Sequence, residues 1–324
     1  MKTKNESGLT AGPGLCLIGT GAVATDHMKA FAGLGLDDRR WVVSRRPEAA
    51  EDFAREWQFE HWGIDPKEAL DDPDVELVVV ASPSPVHAEQ AAMALRAQKD
   101  VIVEIPAGLN LSEIEELARS AGGNAGRLFV CHTMRSFPAV AEIRRRVETG
   151  EFEATQVTGF FAIPRRNNQG WTGPRSWADD LFWHHACHQV DTTLWVLGVD
   201  TISSPYVLFG QRHPDFGMVM DLSLGFSCGG DVVVTHSLTY NSDRLLWELR
   251  FAGRQDVVVF RNGVLLDEAG AEITPEHSIR DLSFQDAEML EARATGRPSV
   301  FDISAVMPTY RALHEIGQRA VAAR

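Results

Sequence analysis

In the first 135 residues, short apolar β-branched runs alternate with helical patterns, and the first run opens into Gly19-Thr20-Gly21-Ala22-Val23-Ala24. Leu15–Gly19 is that run and Ala22–Leu34 the helix behind it. Trp41–Val43 with Pro47–Gln58, Val75–Ala81 with His87–Gln98, and Val101–Glu104 with Leu111–Ala121 repeat the unit, and Leu128–His132 closes the series. Val75–Ala81 is continuously apolar, the pattern of a parallel strand covered on both faces. Parallel neighbours need crossovers, which the helices supply, and those crossovers are right-handed. The spacing predicts an α/β domain, a doubly wound parallel sheet, over residues 1–135. Ser112 and Glu115 read as a capping box opening Leu111–Ala121.

After Arg135 the rhythm changes. Pro138–Glu148 reads as an amphipathic helix, Thr155–Ile163 as a long strand, and Ser176–Leu197 as a helical stretch rich in Trp and His. Ser204–Phe209, Met218–Phe226, Asp231–Leu238, Leu246–Phe251 and Asp256–Phe260 follow without helices between them. Gly217, Gly229–Gly230 and Asn262–Gly263 punctuate them as turns. Strands so connected need an antiparallel or mixed sheet. Ile279–Thr295 and Ile303–Ala320 read as closing helices. Residues 136–324 are therefore expected to form a second, α+β domain, and 324 residues suit two domains of ~150 each.

The first turn carries chemistry. In G-x-G-x-x-A, Gly19 permits the tight turn, Gly21 lets the backbone approach a pyrophosphate, and Ala24 allows close helix–strand packing. The helix N-terminus, at Ala22 and Val23, offers N–H groups and a positive dipole end to phosphates. A small-residue turn with no ligand is the plain alternative; its place at the head of a βαβ series favours a dinucleotide. Where an NAD site carries an acid for the ribose, the residues here are Ser44, Arg45 and Arg46. A hydroxyl and guanidinium groups suit a 2′-phosphate, so NADP is expected, with NAD still possible. Ser82, Pro83 and His87, and Glu104 and Pro106, fall at carboxyl ends of strands, where ligands bind in such sheets.

His184, His188 and Asp191 stand at i, i+4 and i+7, on one face of a helix. Zinc binding, a packed face with satisfied imidazoles, and proton transfer all fit that spacing. The H-E-x-x-H glutamate is absent and no fourth ligand is apparent, so no metal is expected. Imidazole titrates near neutrality and suits a general base. Arg165, Arg166 and Arg175 lie just upstream in a segment without helical period, and such guanidinium groups match carboxylates bidentately. Pairing with Asp179 or Asp180 on the surface is their other reading. The net charge of −14 argues against nucleic acid or an anionic membrane as partner. No apolar stretch approaches the ~20 residues that cross a bilayer, and no apolar signal core follows the early lysines. Cys16, Cys131, Cys187 and Cys228 are scattered and read as reduced buried thiols, which together predicts a soluble, cytoplasmic protein.

Taken together, GTGAVA, SPSPVH, the E-x-P of Glu104–Pro106 and the H-x-x-D of His188–Asp191 resemble the Gfo/Idh/MocA family of nicotinamide-dependent oxidoreductases over essentially the whole chain. The resemblance implies a Rossmann domain followed by a domain whose open, predominantly antiparallel sheet often forms a homodimer or homotetramer interface. It also implies a catalytic lysine inside E-K-P and an aspartate–histidine pair. Here Ile105 stands for the lysine and His184 for the aspartate, while His188 matches the histidine. The string PRRNN…GPRSWADDLFWHHACHQVD, with E-I-P and His132-Thr133 before Arg135, is similar to one branch of the family. Members of that branch use NADP to oxidise the cyclic hemiacetal of 4-carboxy-2-hydroxymuconate-6-semialdehyde to 2-pyrone-4,6-dicarboxylate. By that resemblance His188 is the base, His184 orients or relays, and Asp191 fixes an imidazole tautomer beside the substrate. Arg165, Arg166 and Arg175, with His132, hold the small dicarboxylate. Oxidation of a sugar, cyclitol or dihydrodiol, and a non-catalytic NADP-binding regulator, are the rival expectations.

Overall fold

The elements run in chain order as β1 (Leu15–Ile18), α1 (Ala22–Gly33), β2 (Arg39–Val43), α2 (Pro47–Trp57), β3 (His61–Gly63), α3 (Pro66–Leu70), β4 (Leu77–Val80), α4 (His87–Arg96), β5 (Asp100–Val103), α5 (Leu111–Ala121) and β6 (Leu128–Val130). Then come α6 (Pro138–Glu148), β7 (Ala154–Pro164), the two-residue β8 (Gln169–Gly170) and β9 (Gly173–Pro174), a π-helical turn (Leu181–Ala186), α7 (Cys187–Leu197), β10 (Ile202–Phe209), β11 (Asp221–Cys228), β12 (Val232–Thr239), β13 (Asn241–Gly253), β14 (Val257–Arg261) and β15 (Val264–Leu266). The chain ends with α8 (Ser283–Thr295), α9 (Ile303–Gly317) and β16 (Ala320–Val321). This computed structural model describes residues 12–121, 126–170, 173–175, 177–178 and 180–321. Ser176, where the histidine-rich helix was expected to begin, and Asp179 lie outside the described residues.

Two compact units emerge. The first comprises residues 1–131 and 280–305, the second 132–279 and 306–324. The sequence boundary at 135 falls close to the first division, but residues 280–305 return to the first unit instead of staying with 136–324. The reason is burial. Met289, Ala292 and Phe301 close the core that Leu15, Leu17, Phe31, Val42, Leu77 and Ile102 build around the parallel strands. Fully burying side chains the size of Met289 and Phe301 is worth ~1.5–3 kcal/mol each. Arg127 fastens the same segment, donating to the Arg297 carbonyl at 2.9 Å and to Asp302 at 2.7 Å.

The first unit is a six-stranded parallel sheet in the order β3-β2-β1-β4-β5-β6, with β1 paired to both β2 and β4. Its strand order reverses at β1, where a doubly wound sheet opens its binding crevice. β3 and α3 lie outside the sequence reading, because His61-Trp62-Gly63 is a short, largely exposed edge strand with no apolar run to announce it. The cap of α5 also differs from expectation. Asn110, not Ser112, is the capping residue: its Oδ1 accepts the Glu113 N–H at 3.0 Å, and Glu113 Oε2 reaches back to the Leu109 N–H at 2.8 Å. Asn-x-x-Glu and Ser-x-x-Glu overlap here by two residues, and the helix starts at the earlier one.

The second unit is an eight-stranded, predominantly antiparallel open sheet ordered β15-β14-β13-β7-β12-β11-β10-β16. Only β7–β12 and β10–β16 run parallel. Register places Phe160, Val233, Tyr206 and Leu208 on one face of this sheet, all four exposed. The opposite face carries α7: Gly159 of β7 has no room for a side chain, since a Cβ there would meet the His236 ring at 2.3 Å and Leu249 at 2.9 Å. All four cysteines are buried and none forms a disulfide. Among the described residues no helix is long and apolar enough to cross a membrane.

Candidate functional site

The turn after β1 fits a nucleotide. Gly19 has φ +122°, and a Cβ on it would lie 2.3 Å from the Ala81 carbonyl oxygen, so only glycine lets β1 and β4 end side by side. Gly21 has open space around its missing Cβ and is exposed. α1 starts at Gly21 with no side-chain cap and no acid in its first turn, which leaves its N–H groups and positive dipole end for an anion. Ala24 is fully buried beneath it. Thr20 Oγ1 donates to Ser44 Oγ at 3.2 Å, bringing the end of β2 to the glycine turn. Arg45 and Arg46 are exposed beside it, Arg46 at the cap of α2. Turn, hydroxyl and guanidinium groups thus gather at one end of the sheet, as a phosphorylated ribose and a pyrophosphate require.

The other strand-end residues hold each other. His87 is buried, with Nε2 at 2.7 Å from the Ser82 carbonyl oxygen and Nδ1 at 2.9 Å from that of Pro106, so its ring staples two loops together. Glu104 is turned inward: Oε1 lies 2.9 Å from Nε2 of His27, whose Nδ1 lies 2.9 Å from Oδ2 of Asp286. His87 and Glu104 were expected to touch the cofactor, and their ring nitrogens and carboxylate are instead committed within the fold. Burial works to strip the proton from His27, but the Asp286 carboxylate, aided by Glu104 and Cys131, overrides it and raises the imidazole well above its ordinary value. His27, Glu104 and Cys131 are the one set of donors among the described residues close enough to share an ion. Their contacts are hydrogen-bond contacts, and we read them as an ion-pair network. Nothing in the sequence marks His27, because Asp286 lies 259 positions away.

In the second unit, a π-helical turn leads into α7. Asp180 caps it, accepting the N–H groups of Phe182 at 2.9 Å and Trp183 at 2.7 Å. Within this turn His184 and His185 form a parallel stack, 4.2 Å between centroids and 7° between planes. His185 is buried, bonded to Tyr240 Oη at 2.8 Å and stacked on Phe161, which makes it a packing residue. His184 and His188 are half-buried with ring centroids 6.4 Å apart, and Trp247 lies 4.9 Å from His188. Nδ1 of His188 is enclosed without a hydrogen-bond partner among the described residues. Burial, then the His184 and His132 imidazoles, hold His188 well below the ordinary imidazole value, against a pull from Asp191. It is therefore neutral near pH 7, as a base must be.

Asp191 and His132, expected beside a substrate, are internal. Asp191 takes Arg135 bidentately, Nε to Oδ2 at 2.9 Å and Nη2 to Oδ1 at 2.6 Å, and accepts Thr309 Oγ1 at 2.7 Å. His132 Nδ1 is 3.3 Å from the same carboxylate, and its Nε2 is 3.2 Å from Tyr310 Oη. Asp191 and His132 are each 1% exposed. Burial pushes the Asp191 carboxyl up, but Arg135 and then His132 hold it far below the carboxylate range. The carboxylate is a structural hub whose hydrogen bonds go to Arg135 and Thr309, with the His132 ring close by, and none goes to the His184–His188 pair. Arg135 carried no separate weight in the sequence, although it follows His132 by three positions.

The arginines divide. Arg165 is 4% exposed and donates to the Gln169 carbonyl at 2.7 Å, so it builds the loop. Asn168, in the left-handed region at φ 51°, pins that loop through Nδ2 to the Trp177 carbonyl at 2.7 Å and accepts the Arg175 N–H at 3.0 Å with its carbonyl. Arg166 is exposed, and Arg175 is half-buried with its guanidinium 4.7 Å over the Trp177 ring. Asn168 thus brings Arg165 and Arg175 to one loop, with Arg166 on its outer side.

Residues 14–132 match the family model described as oxidoreductase family, NAD-binding Rossmann fold, and residues 138–276 match that described as bacterial oxidoreductases, C-terminal. The chain is 30% identical over 314 residues to 4-carboxy-2-hydroxymuconate-6-semialdehyde dehydrogenase of Sphingobium sp. SYK-6, covering 93% of this chain and 97% of that one. Among solved structures it is similar to an oxidoreductase domain protein from Kribbella flavida, with a TM-score of 0.84 at 19% identity, covering 96% and 97% of the two chains. It is also similar to levoglucosan dehydrogenase in complex with NADH, with a TM-score of 0.79 at 18% identity, covering 94% and 96%.

Proposed function

The chain belongs to the Gfo/Idh/MocA family of NAD(P)-dependent oxidoreductases acting on CH–OH groups, and from that premise we propose that it oxidises the cyclic hemiacetal of a dicarboxylic semialdehyde to a lactone, with NADP as acceptor. The substrate proposed is that of its relative, 4-carboxy-2-hydroxymuconate-6-semialdehyde, giving 2-pyrone-4,6-dicarboxylate. The observation that carries the reading is a second unit that offers a neutral imidazole and loop arginines, while Ile105 occupies the lysine position of E-K-P. A hemiacetal hydroxyl is more acidic than a plain alcohol, so an imidazole can serve where an alcohol would want more help.

A nicotinamide nucleotide would supply the hydride acceptor for the hemiacetal carbon. The Gly19–Gly21 turn and the α1 N-terminus would hold its pyrophosphate, and Ser44, Arg45 and Arg46 its 2′-phosphate. His188 takes the hydroxyl proton at Nε2, so the C–O bond becomes the lactone carbonyl as the C–H bond is lost. His184, stacked on the fixed His185 ring, orients the hydroxyl or passes the proton outward. Arg166 and Arg175 hold the carboxylates and supply orientation. Four cysteines outside any disulfide suit a reducing cytoplasm, and the exposed face bearing Phe160, Tyr206, Leu208 and Val233 is the surface through which copies would associate. The test is NADP reduction followed at 340 nm with enzymatically generated semialdehyde, beside inositol and a dihydrodiol as neutral controls. Turnover of the neutral compounds, with none of the dicarboxylate, would refute the reading.

A further inference from the structure

We infer that His27 is a positioning residue for the nicotinamide half of the nucleotide site, an inference that rests on reading the first unit as the nucleotide-binding one. Glu104-Ile105-Pro106 leaves β5 at the carboxyl edge of the parallel sheet, where ligands of such sheets bind. Ser44–Arg46, at the end of β2, mark the ribose-phosphate side. In the order β3-β2-β1-β4-β5-β6 the other half of a dinucleotide lies across β1, towards β4 and β5. The segment that would underlie the nicotinamide is therefore Glu104–Pro106.

That segment has two anchors. His87 holds the Pro106 carbonyl at 2.9 Å, and His27 holds Glu104 Oε1 at 2.9 Å. Glu104 Oε2 in turn accepts the Ile105 N–H at 3.3 Å, so the carboxylate connects His27 directly to the strand-end backbone. The second nitrogen of His27 is fixed by Asp286 on α8 at 2.9 Å. His27 and Asp286 are fully buried, so water cannot replace either bond if one is lost. One ring thus spans α1, the end of β5 and α8. The phosphate-binding turn does not depend on this chain of bonds, being set by the approach of Gly19 to Ala81 and by the Thr20–Ser44 bond. Weakening the network should therefore disturb one half of the nucleotide site and spare the other.

The experiment compares two ligands on the intact protein. NADPH and NADH binding are followed by energy transfer from tryptophan, and 2′-phospho-ADP-ribose and ADP-ribose, which lack the nicotinamide, by competition. His27→Gln keeps a donor towards one carboxylate; Asp286→Asn changes only the far end of the network and carries the test if His27→Gln does not fold by circular dichroism. The expected result is about tenfold weaker binding of the reduced dinucleotides, the scale of one charged hydrogen bond, with the ADP-ribose fragments within about twofold of the parent. Unchanged dinucleotide binding in folded variants overturns the inference. Equal losses for dinucleotide and fragment overturn it too, making His27 a support for α1 as a whole. A parent protein that binds none of the four ligands overturns the nucleotide reading itself, and this inference with it.

Discussion

Replacing Asp191 by asparagine tests whether its carboxylate stabilises the fold or acts on substrate. It receives two bonds from Arg135 and one from Thr309, at 2.6–2.9 Å, in surroundings that leave it 1% exposed. Asparagine keeps the shape and one acceptor but leaves the buried Arg135 cation uncompensated. Breaking a buried pair from one side costs ~3–5 kcal/mol, and the retained acceptor puts Asp191→Asn near the low end of that range. Thr309→Val removes a single bond and should cost ~1 kcal/mol. Arg135→Met together with Asp191→Asn should recover part of the loss, because no orphan charge remains. Urea unfolding followed by tryptophan fluorescence measures all three, with kcat expressed per folded protein at low temperature. The expected pattern is a large fall in stability with kcat per folded molecule within about threefold of the parent, since the carboxylate meets only protein groups. A stability loss below ~1 kcal/mol combined with collapsed kcat would refute the reasoning and return Asp191 to the substrate.

Arg45→Ala with Arg46→Ala should raise KM for NADP and leave KM for NAD nearly unchanged, because only NADP carries the extra phosphate; steady-state kinetics with both nucleotides decide it. His188→Asn should lower kcat by roughly 10²–10⁴-fold, and the parent's kcat/KM should stay level through neutrality and fall only below pH ~6.5, the ordinary imidazole value. Arg166→Ala or Arg175→Ala should weaken inhibition by 2-pyrone-4,6-dicarboxylate by the equivalent of about 1.5–3 kcal/mol, read from inhibition constants. His236 is buried and pushed down to about 3, so its unfolded form takes up a proton first as pH falls. Its contribution makes stability drop by up to ~1.4 kcal/mol per pH unit between about 6.5 and 3, a slope that urea midpoints across that range should show and that His236→Gln should flatten.

The parallel sheet was legible because its signals are local. Every strand of it but β3 carries an apolar run, and the glycine turn is written in six adjacent residues. The antiparallel sheet was legible for the same reason, as strands separated by glycine turns at Gly217, Gly229–Gly230 and Gly263. What stayed hidden is what depends on distance along the chain. No pattern within Ile279–Thr295 says that Met289 belongs to the core of residue 15, and no spacing announces that Asp286 completes His27. Likewise His132 and Asp191 look like site residues, polar and adjacent to others of their kind, until Arg135 and Thr309 are seen to absorb the carboxylate. His184, His188 and the loop of Asn168 stand out in the sequence because unusual residue types are concentrated there within a few positions.

The π-helical turn adds a feature that the histidine spacing does not contain. The His184 and His185 rings lie stacked, 4.2 Å between centroids and 7° between planes, within the π-helical turn over Leu181–Ala186. Such turns have poorer intrinsic bonding and recur at functional sites, where tertiary contacts hold them. Here the contacts are identifiable: Asp180 secures the first N–H groups, and Tyr240 with Phe161 fixes His185 from below. His185 then serves as the platform against which His184 is oriented, 6.4 Å from His188. The i, i+4 rule puts His184 and His188 on one face; the π-helical turn and the stacking of His184 on the fixed His185 ring are not visible in that spacing. A third histidine that looks redundant in the sequence is thus the packed ring against which one of the half-buried pair is stacked.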